Sequence, residues 1–219
     1  MKKFLLSLLM IKTALASQFS ISPSPFNGAY GGLGLSNTFL IGKFNAIRED
    51  VNIRYVKLAN NKLSPEVFAG FGGLWGTTPL YIGFEGFGAY HRLDFGITRL
   101  ATPENVNANK AITIKNTLGG VGRFGITTKD FLIALRLGMA YSNFHAKYRD
   151  YEGLAASEGS NKWGKVAGAE IGYVVYPNWI ASIKYDYITY NNLKMGHDTL
   201  DFSYKPVVHS VGLRLAHSF

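Results

Sequence analysis

A chain of 219 residues with 47% hydrophobic residues, 14% aromatics, 25 glycines and only 17% charged residues is sized for one domain or one small barrel. The absence of cysteine excludes a disulfide scaffold, thiolate metal ligation and a cysteine nucleophile. The net charge of +9 invites a nucleic-acid reading, but the first residues direct the chain out of the cytoplasm and away from such a partner.

Residues 1–16 read as a cleavable secretory signal: Lys2 and Lys3 form the basic start, residues 4–11 a short apolar core, and Ala14-Leu15-Ala16 the small-residue cleavage site. Lys12 cuts the apolar run too short for an anchor helix. Loss of Lys2, Lys3 and Lys12 takes three charges from +9 and leaves +6. Residues 17–27 form a Ser/Pro leader without periodicity, expected to be loose. Residues 28–219 are expected to form the folded domain.

From Ala29 side chains alternate. Gly31, Leu33, Leu35, Asn37 and Phe39 share one face; Gly32, Gly34, Ser36 and Thr38 share the other. Tyr30 falls on the small-residue face, where the pattern gives it no role. A polar loop is expected over 42–64, within which residues 51–58 either prolong a strand beyond the bilayer or pair separately. The next strand, about 65–75, puts Val67, Ala69, Phe71, Gly73 and Trp75 outward. The uncharged window 67–84 is long enough for a spanning helix, but five glycines, Thr77-Thr78 and Pro79 between its ends make two strands and a turn. After the turn Leu80, Ile82, Phe84 and Tyr90 oppose Tyr81, Gly83, Glu85 and Ala89.

A second polar loop is expected over 91–115, then a strand about 116–126 with Leu118, Phe124 and Ile126 opposed to Val121, Arg123 and Gly125. Phe131, Ile133, Leu135, Leu137, Met139 and Tyr141 then alternate with Leu132, Ala134, Arg136, Gly138 and Ala140, the clearest pattern in the chain. Beyond a third loop over 142–162 comes a hairpin. Ala167, Ala169, Ile171, Tyr173 and Val175 face away from Gly168, Glu170 and Gly172. Past a tight Tyr176-Pro177-Asn178-Trp179 turn, Ala181, Ile183, Tyr185 and Tyr187 face away from Ser182, Lys184 and Asp186. A fourth loop over 191–204 precedes the last strand, in which Val207, His209, Val211, Leu213, Leu215, His217 and Phe219 oppose Val208, Ser210, Gly212, Arg214 and Ala216.

The count is eight strands of about ten residues, the length a tilted strand needs to cross a bilayer. Connections alternate between about four and about twenty residues, the asymmetry of outer-membrane barrels. Trp75, Tyr81, Phe131, Tyr176, Trp179 and Phe219 gather at the short-turn ends, where an interfacial belt belongs. The fold class is therefore all-β: an eight-stranded antiparallel up-and-down transmembrane β-barrel, with ten strands the alternative if residues 51–58 pair on their own.

Tyr81-Ile82-Gly83-Phe84-Glu85, Gly168-Ala169-Glu170-Ile171-Gly172-Tyr173, Lys184-Tyr185-Asp186-Tyr187 and the terminal residues 212–219 resemble the OmpA-like, opacity-type family of small outer-membrane barrels. The resemblance spans nearly the whole mature chain but is to an architecture, since each motif is short. It implies residence in the outer membrane among lipid and lipopolysaccharide, and adhesion to host surface molecules or immune exposure. It also implies that Gly212, Leu213, Leu215 and Phe219 form the signal read by the barrel-assembly machinery. His217 departs from that signal, which usually has an apolar or aromatic residue there. No periplasmic peptidoglycan-binding domain is expected after the barrel.

The inward parity collects Glu85, Arg123, Arg136, Glu170, Lys184, Asp186 and Arg214. In a lumen just wide enough for side chains, such charges must pair. They form either a structural plug, the favoured reading, or a gated ion conduit. A lipid-modifying enzyme is the third reading. Against it, the neighbours His209-Ser210 and His217-Ser218 point to opposite faces of a strand and cannot pair as base and nucleophile. His91, His145 and His197 lie near loops, with interface or surface roles expected for all five histidines, and no two histidines have metal-ligand spacing. No cofactor, metal or catalytic residue is assigned, and the chain is expected not to be an enzyme. The first loop carries Lys43, Arg48, Arg54, Lys57 and Lys62 against Glu49 and Asp50, a basic face suited to lipopolysaccharide phosphates or anionic glycans, though a merely solvated loop surface is the favoured reading.

Overall fold

Alternation with glycine in every run leaves the backbone one regular option, the pleated strand, and the computed structural model takes it throughout. It describes residues 24–48, 51–97, 109–149, 155–191, 193–197 and 200–219, with side chains within 24–41, 61–91, 113–145, 159–191 and 205–219. The signal segment and residues 17–23 of the leader lie outside the described residues. The strands are β1 (Gly28–Arg48), β2 (Val51–Leu74), β3 (Leu80–Ile97), β4 (Asn109–Thr127), β5 (Phe131–Arg149), β6 (Ala155–Tyr176), β7 (Trp179–Tyr190), β8 (Leu193–His197) and β9 (Leu200–Ser218).

Each strand from β1 to β7 pairs antiparallel with the next in sequence; β9 then pairs with β7 on one side and β1 on the other. β7 lies along Val207 to His217 of β9, and β8 along Leu200 to Tyr204. The two therefore occupy one stave, and the closed barrel has eight. Every stave is hydrogen-bonded to a neighbour on both sides, so the sheet closes on itself, the condition for a sheet to live in hydrocarbon. Starting at Tyr30 and stepping through Cα partners Gly70, Glu85, Val121, Gly138, Val166, Ile188 and Val208 returns to β1 at Leu40, ten residues further along. This stagger obliges the strands to tilt, by about 35–45° in barrels of this kind.

The two faces meet different surroundings. Thirty large apolar side chains among the described residues are exposed, from Leu33 and Leu35 on β1 to Leu213 and Leu215 on β9. In water this would be a patch far larger than any soluble monomer carries; in a bilayer it is the lipid-facing wall. At the short-turn end Trp75, Phe131, Tyr176, Trp179 and Phe219 are exposed as an aromatic girdle. Tyr81, expected there too, is corrected: it is 2% exposed and points inward, because its parity on β3 is that of Glu85. His217 lies edge-on between the Trp179 and Phe219 rings, 5.0 Å from each centroid, and supplies the aromatic surface usual at that position.

The polar loops are shorter than expected. β1 and β2 stay paired out to Arg48 and Val51, and β5 and β6 out to Arg149 and Ala155. Residues 51–58 belong to β2, so the ten-strand alternative falls. Part of the expected loop over 191–204 is β8 and the start of β9. The reason is that period-two contrast requires two different solvents. In these extensions polar and apolar residues mix on both parities, and the hydrogen-bond ladder continues without a hydropathy signal. The short turns fall where expected. Trp75 N–H donates to Leu80 O at 2.8 Å across the Gly76 turn, and Asn178 takes φ 65° after Pro177 in a type II arrangement.

Candidate functional site in the barrel lumen

The seven charged residues of inward parity meet inside the barrel, and an eighth, Glu66 on β2, joins them. Glu66, Glu85, Arg123, Arg136, Glu170, Lys184, Asp186 and Arg214 are all buried. They comprise four acids and four bases, so the cluster is neutral as a whole.

Arg136 of β5 is its hub. Nε donates to Asp186 Oδ1 at 2.9 Å, and Nη1 to Glu85 Oε1 at 2.9 Å and Glu170 Oε2 at 3.1 Å. Arg214 of β9 reaches Glu85 at 2.6 Å, Glu170 at 3.2 Å and Glu66 at 3.3 Å. Arg123 of β4 pairs with Glu170 at 3.1 Å and lies 3.9 Å from Glu85. Lys184 of β7 pairs with Glu66 and, at 2.9 Å, with Asp186. Arg123 and Arg136 are direct cross-strand partners, a like-charge juxtaposition that costs stability on its own. Here Glu85 and Glu170 each contact both arginines, which offsets it.

Aromatic rings line the cations. Tyr30 OH accepts from Arg123 Nη1 at 2.6 Å and donates to Glu85 Oε2 at 3.1 Å, and Tyr81 OH accepts from the same Nη1 at 3.1 Å. The Arg214 guanidinium lies 3.5 Å from the Phe68 ring centroid, and Lys184 Nζ 5.4 Å from that of Phe87. Tyr30, which had no role in the alternation, is thus a member of the network. Glycines opposite the charged residues leave the space: a Cβ on Gly168 would stand 2.5 Å from Asp186 Oδ1, and one on Gly34 3.0 Å from Arg214 Cγ.

Apolar layers close the cluster on both sides. At the short-turn end Phe26, Tyr81, Leu132 and Ala134 pack with Val174 and Ile180. Toward the long connections Leu40, Ile114, Phe144, Val166, Ile188 and Val208 form a second layer. Within that half Thr117, Ser142 and Tyr190 hydrogen-bond in a chain at 2.6 Å per link, and His91 Nδ1 lies 2.9 Å from Ser64 Oγ. The surface role expected for His91 is corrected: it is 6% exposed and faces the lumen, because it keeps the parity of Glu85 up to the irregularity between Tyr90 and Leu93. A cavity of about 20 Å³ beneath the network, lined by Phe26, Tyr30, Tyr81, Arg123, Glu170 and Ser182, has room for about one water molecule.

Outside the barrel, His209 Nδ1 lies 2.8 Å from Tyr185 OH, whereas Ser210 is buried inside beside Thr38, with oxygens 3.4 Å apart. Histidine and serine thus sit on opposite sides of the wall. His197 and the basic side chains of the first loop up to Lys57 lie outside the described side chains. On the last stave Leu213 and Leu215 face outward and Gly212 inward, and Phe219 lies exposed just past its end.

Glu66 was legible from two signals: it shares parity with Ser64 and opposes Val67, and seven inward charges comprising four bases and three acids leave a closed lumen one acid short.

No family model and no curated protein matches this chain. Solved structures do. The outer membrane protein OprG from Pseudomonas aeruginosa aligns with a TM-score of 0.59 at 10% identity, over 90% of this chain and 99% of that one. Ail, the attachment invasion locus protein of Yersinia pestis, in complex with the heparin analogue sucrose octasulfate, aligns with a TM-score of 0.38 at 15% identity, over 83% and 98%. Neisserial surface protein A aligns with a TM-score of 0.35 at 16% identity, over 87% and 99%. The likeness to OprG, the closed eight-stave sheet and the lipid-facing wall define the class: a small β-barrel of the outer-membrane type. At these identities the likeness extends to the fold.

Proposed function

We propose that the chain is a non-enzymatic outer-membrane barrel with a structural role in the envelope, its lumen a plug and its outer rim a support for basic surface segments. The observation that carries this is the neutral ion-pair cluster held between two apolar layers. An ion entering it would have to displace paired charges that are each 5% exposed or less, and breaking such pairs in a low dielectric is costly. The outer segments supply Lys43, Arg48, Arg54, Lys57 and Lys62 against two acids, Glu49 and Asp50, suited to lipopolysaccharide phosphates or anionic host glycans. The test is single-channel recording of the refolded protein in planar bilayers, beside a variant with Arg136 and Arg214 both changed to glutamine. Current near baseline in both supports the plug. Steady steps in the wild type that change size in the variant overturn it in favour of a narrow pore.

A further inference from the structure

The short-turn mouth of the barrel is closed by a piece of chain that belongs to no stave. Residues 24–27 turn back on themselves, with Asn27 N–H donating to Ser24 O at 3.0 Å and Phe26 N–H to Ser24 Oγ at 3.3 Å. This turn drives the Phe26 ring into the lumen, where it is 3% exposed among Tyr81, Leu132 and Ala134. The tie to the wall comes one residue later: Leu74 N–H donates to Asn27 Oδ1 at 2.9 Å, and Ser218 Oγ to Asn27 O at 3.5 Å. Gly28 follows with φ +103°, in the region that favours glycine, and a Cβ there would approach Phe219 O at 3.2 Å. The wall is therefore complete from Gly28 onward without Phe26, and the turn before Asn27 is held by contacts of its own and by one apolar ring. Directly above that ring lies the small cavity with Arg123, Glu170 and Ser182 in its lining.

We propose that Pro25 and Phe26 are a removable stopper, anchored at Asn27, and that displacing it opens a blind vestibule from the periplasmic side. The vestibule admits water and small polar solutes as far as Arg123 and Glu170 and ends there, because the ion pairs and the apolar layer of Val166, Ile188 and Val208 lie beyond. The leader would then control access to the lower half of the lumen without ever opening the barrel through.

The chain has no cysteine, so single thiols report access cleanly. Ser182→Cys places a thiol in the cavity lining, and Ser142→Cys places one on the far side of the network. Each is combined with native Phe26, Phe26→Leu or Phe26→Ala in folded, reconstituted protein. Labelling by a small charged methanethiosulfonate is followed by mass spectrometry, and heat-modifiable gel migration confirms folding. The expected result is slow labelling of the Ser182→Cys thiol with Phe26 or leucine present, accelerated at least about tenfold by Phe26→Ala, since thiol reactivity follows access. The Ser142→Cys thiol and the bilayer current stay unchanged by Phe26→Ala. Labelling at Ser182→Cys that is insensitive to Phe26→Ala overturns the stopper. Current appearing in Phe26→Ala overturns the blind end.

Discussion

Replacing Arg136 with methionine removes the hub of the lumen while keeping a side chain of comparable length. Three carboxylates lose a partner at 2.9–3.1 Å: Glu85, Glu170 and Asp186. Removing one member of a buried pair typically costs about 3–5 kcal/mol, because the remaining charge stays buried without compensation. Each of the three keeps another cation: Glu85 keeps Arg214, Glu170 keeps Arg123 and Arg214, and Asp186 keeps Lys184. The cost should therefore fall at the lower end, about 3 kcal/mol, or roughly a hundredfold in the unfolding equilibrium. With a urea slope of about 2 kcal/mol per molar, the midpoint drops by about 1.5 M. The assay is reversible urea unfolding in lipid vesicles, followed by tryptophan emission. A second substitution, Asp186→Asn, removes one negative charge and returns the cluster to neutrality. The double variant should lose less than the two single losses combined, by about 1–3 kcal/mol. If Arg136→Met shifts stability by less than about 0.5 kcal/mol, or the two losses simply add, the eight charges do not act as one unit and the reasoning fails.

Two further outcomes follow from the wall. A Cβ on Gly138 would fall 2.7 Å from Val121 Cα and 2.9 Å from the Gly120 carbonyl carbon, backbone atoms with nowhere to go, so Gly138→Ala should cost about 1–3 kcal/mol in the same unfolding assay; Ala140→Gly, on the same face, tests whether any change at this depth does as much. In the Pro177-Asn178 turn, where Asn178 has φ 65°, Asn178→Ala should destabilise by about 1–2 kcal/mol, whereas Asn178→Gly should leave the urea midpoint within a few tenths of a molar.

What the sequence disclosed and what it concealed have one physical origin. Wherever hydrocarbon faced one side and packed polar groups the other, residues such as Leu135 and Arg136 declared their faces by parity, and the fold followed. Near His91, and along residues 42–48 and 51–58, polar and apolar residues mix on both parities, so the alternation that marks a strand is lost while the ladder continues. Tyr30 and Tyr81 were difficult for a different reason. A tyrosine suits a lipid interface and a buried ion network equally well, so its type says nothing of its direction, and for Tyr81 only the parity of Glu85 does. Glu66 is harder to see because the outer residues of its strand, Val67, Ala69 and Phe71, carry the stronger signal. The charge imbalance among the other seven marks the missing acid.

The distribution of charge among the hairpins bears on how such a wall can come together. Of the eight buried network charges, the β2–β3 hairpin carries two acids, Glu66 and Glu85, and the β4–β5 hairpin two arginines, Arg123 and Arg136; β6, β7 and β9 together bring two acids and two bases. Among these lumen charges each of the first two hairpins has a surplus of one sign, and each supplies what the other lacks. Hairpins brought together in register answer each other's lumen charge across the seam, so the oily phase becomes hospitable to both only once they stand side by side.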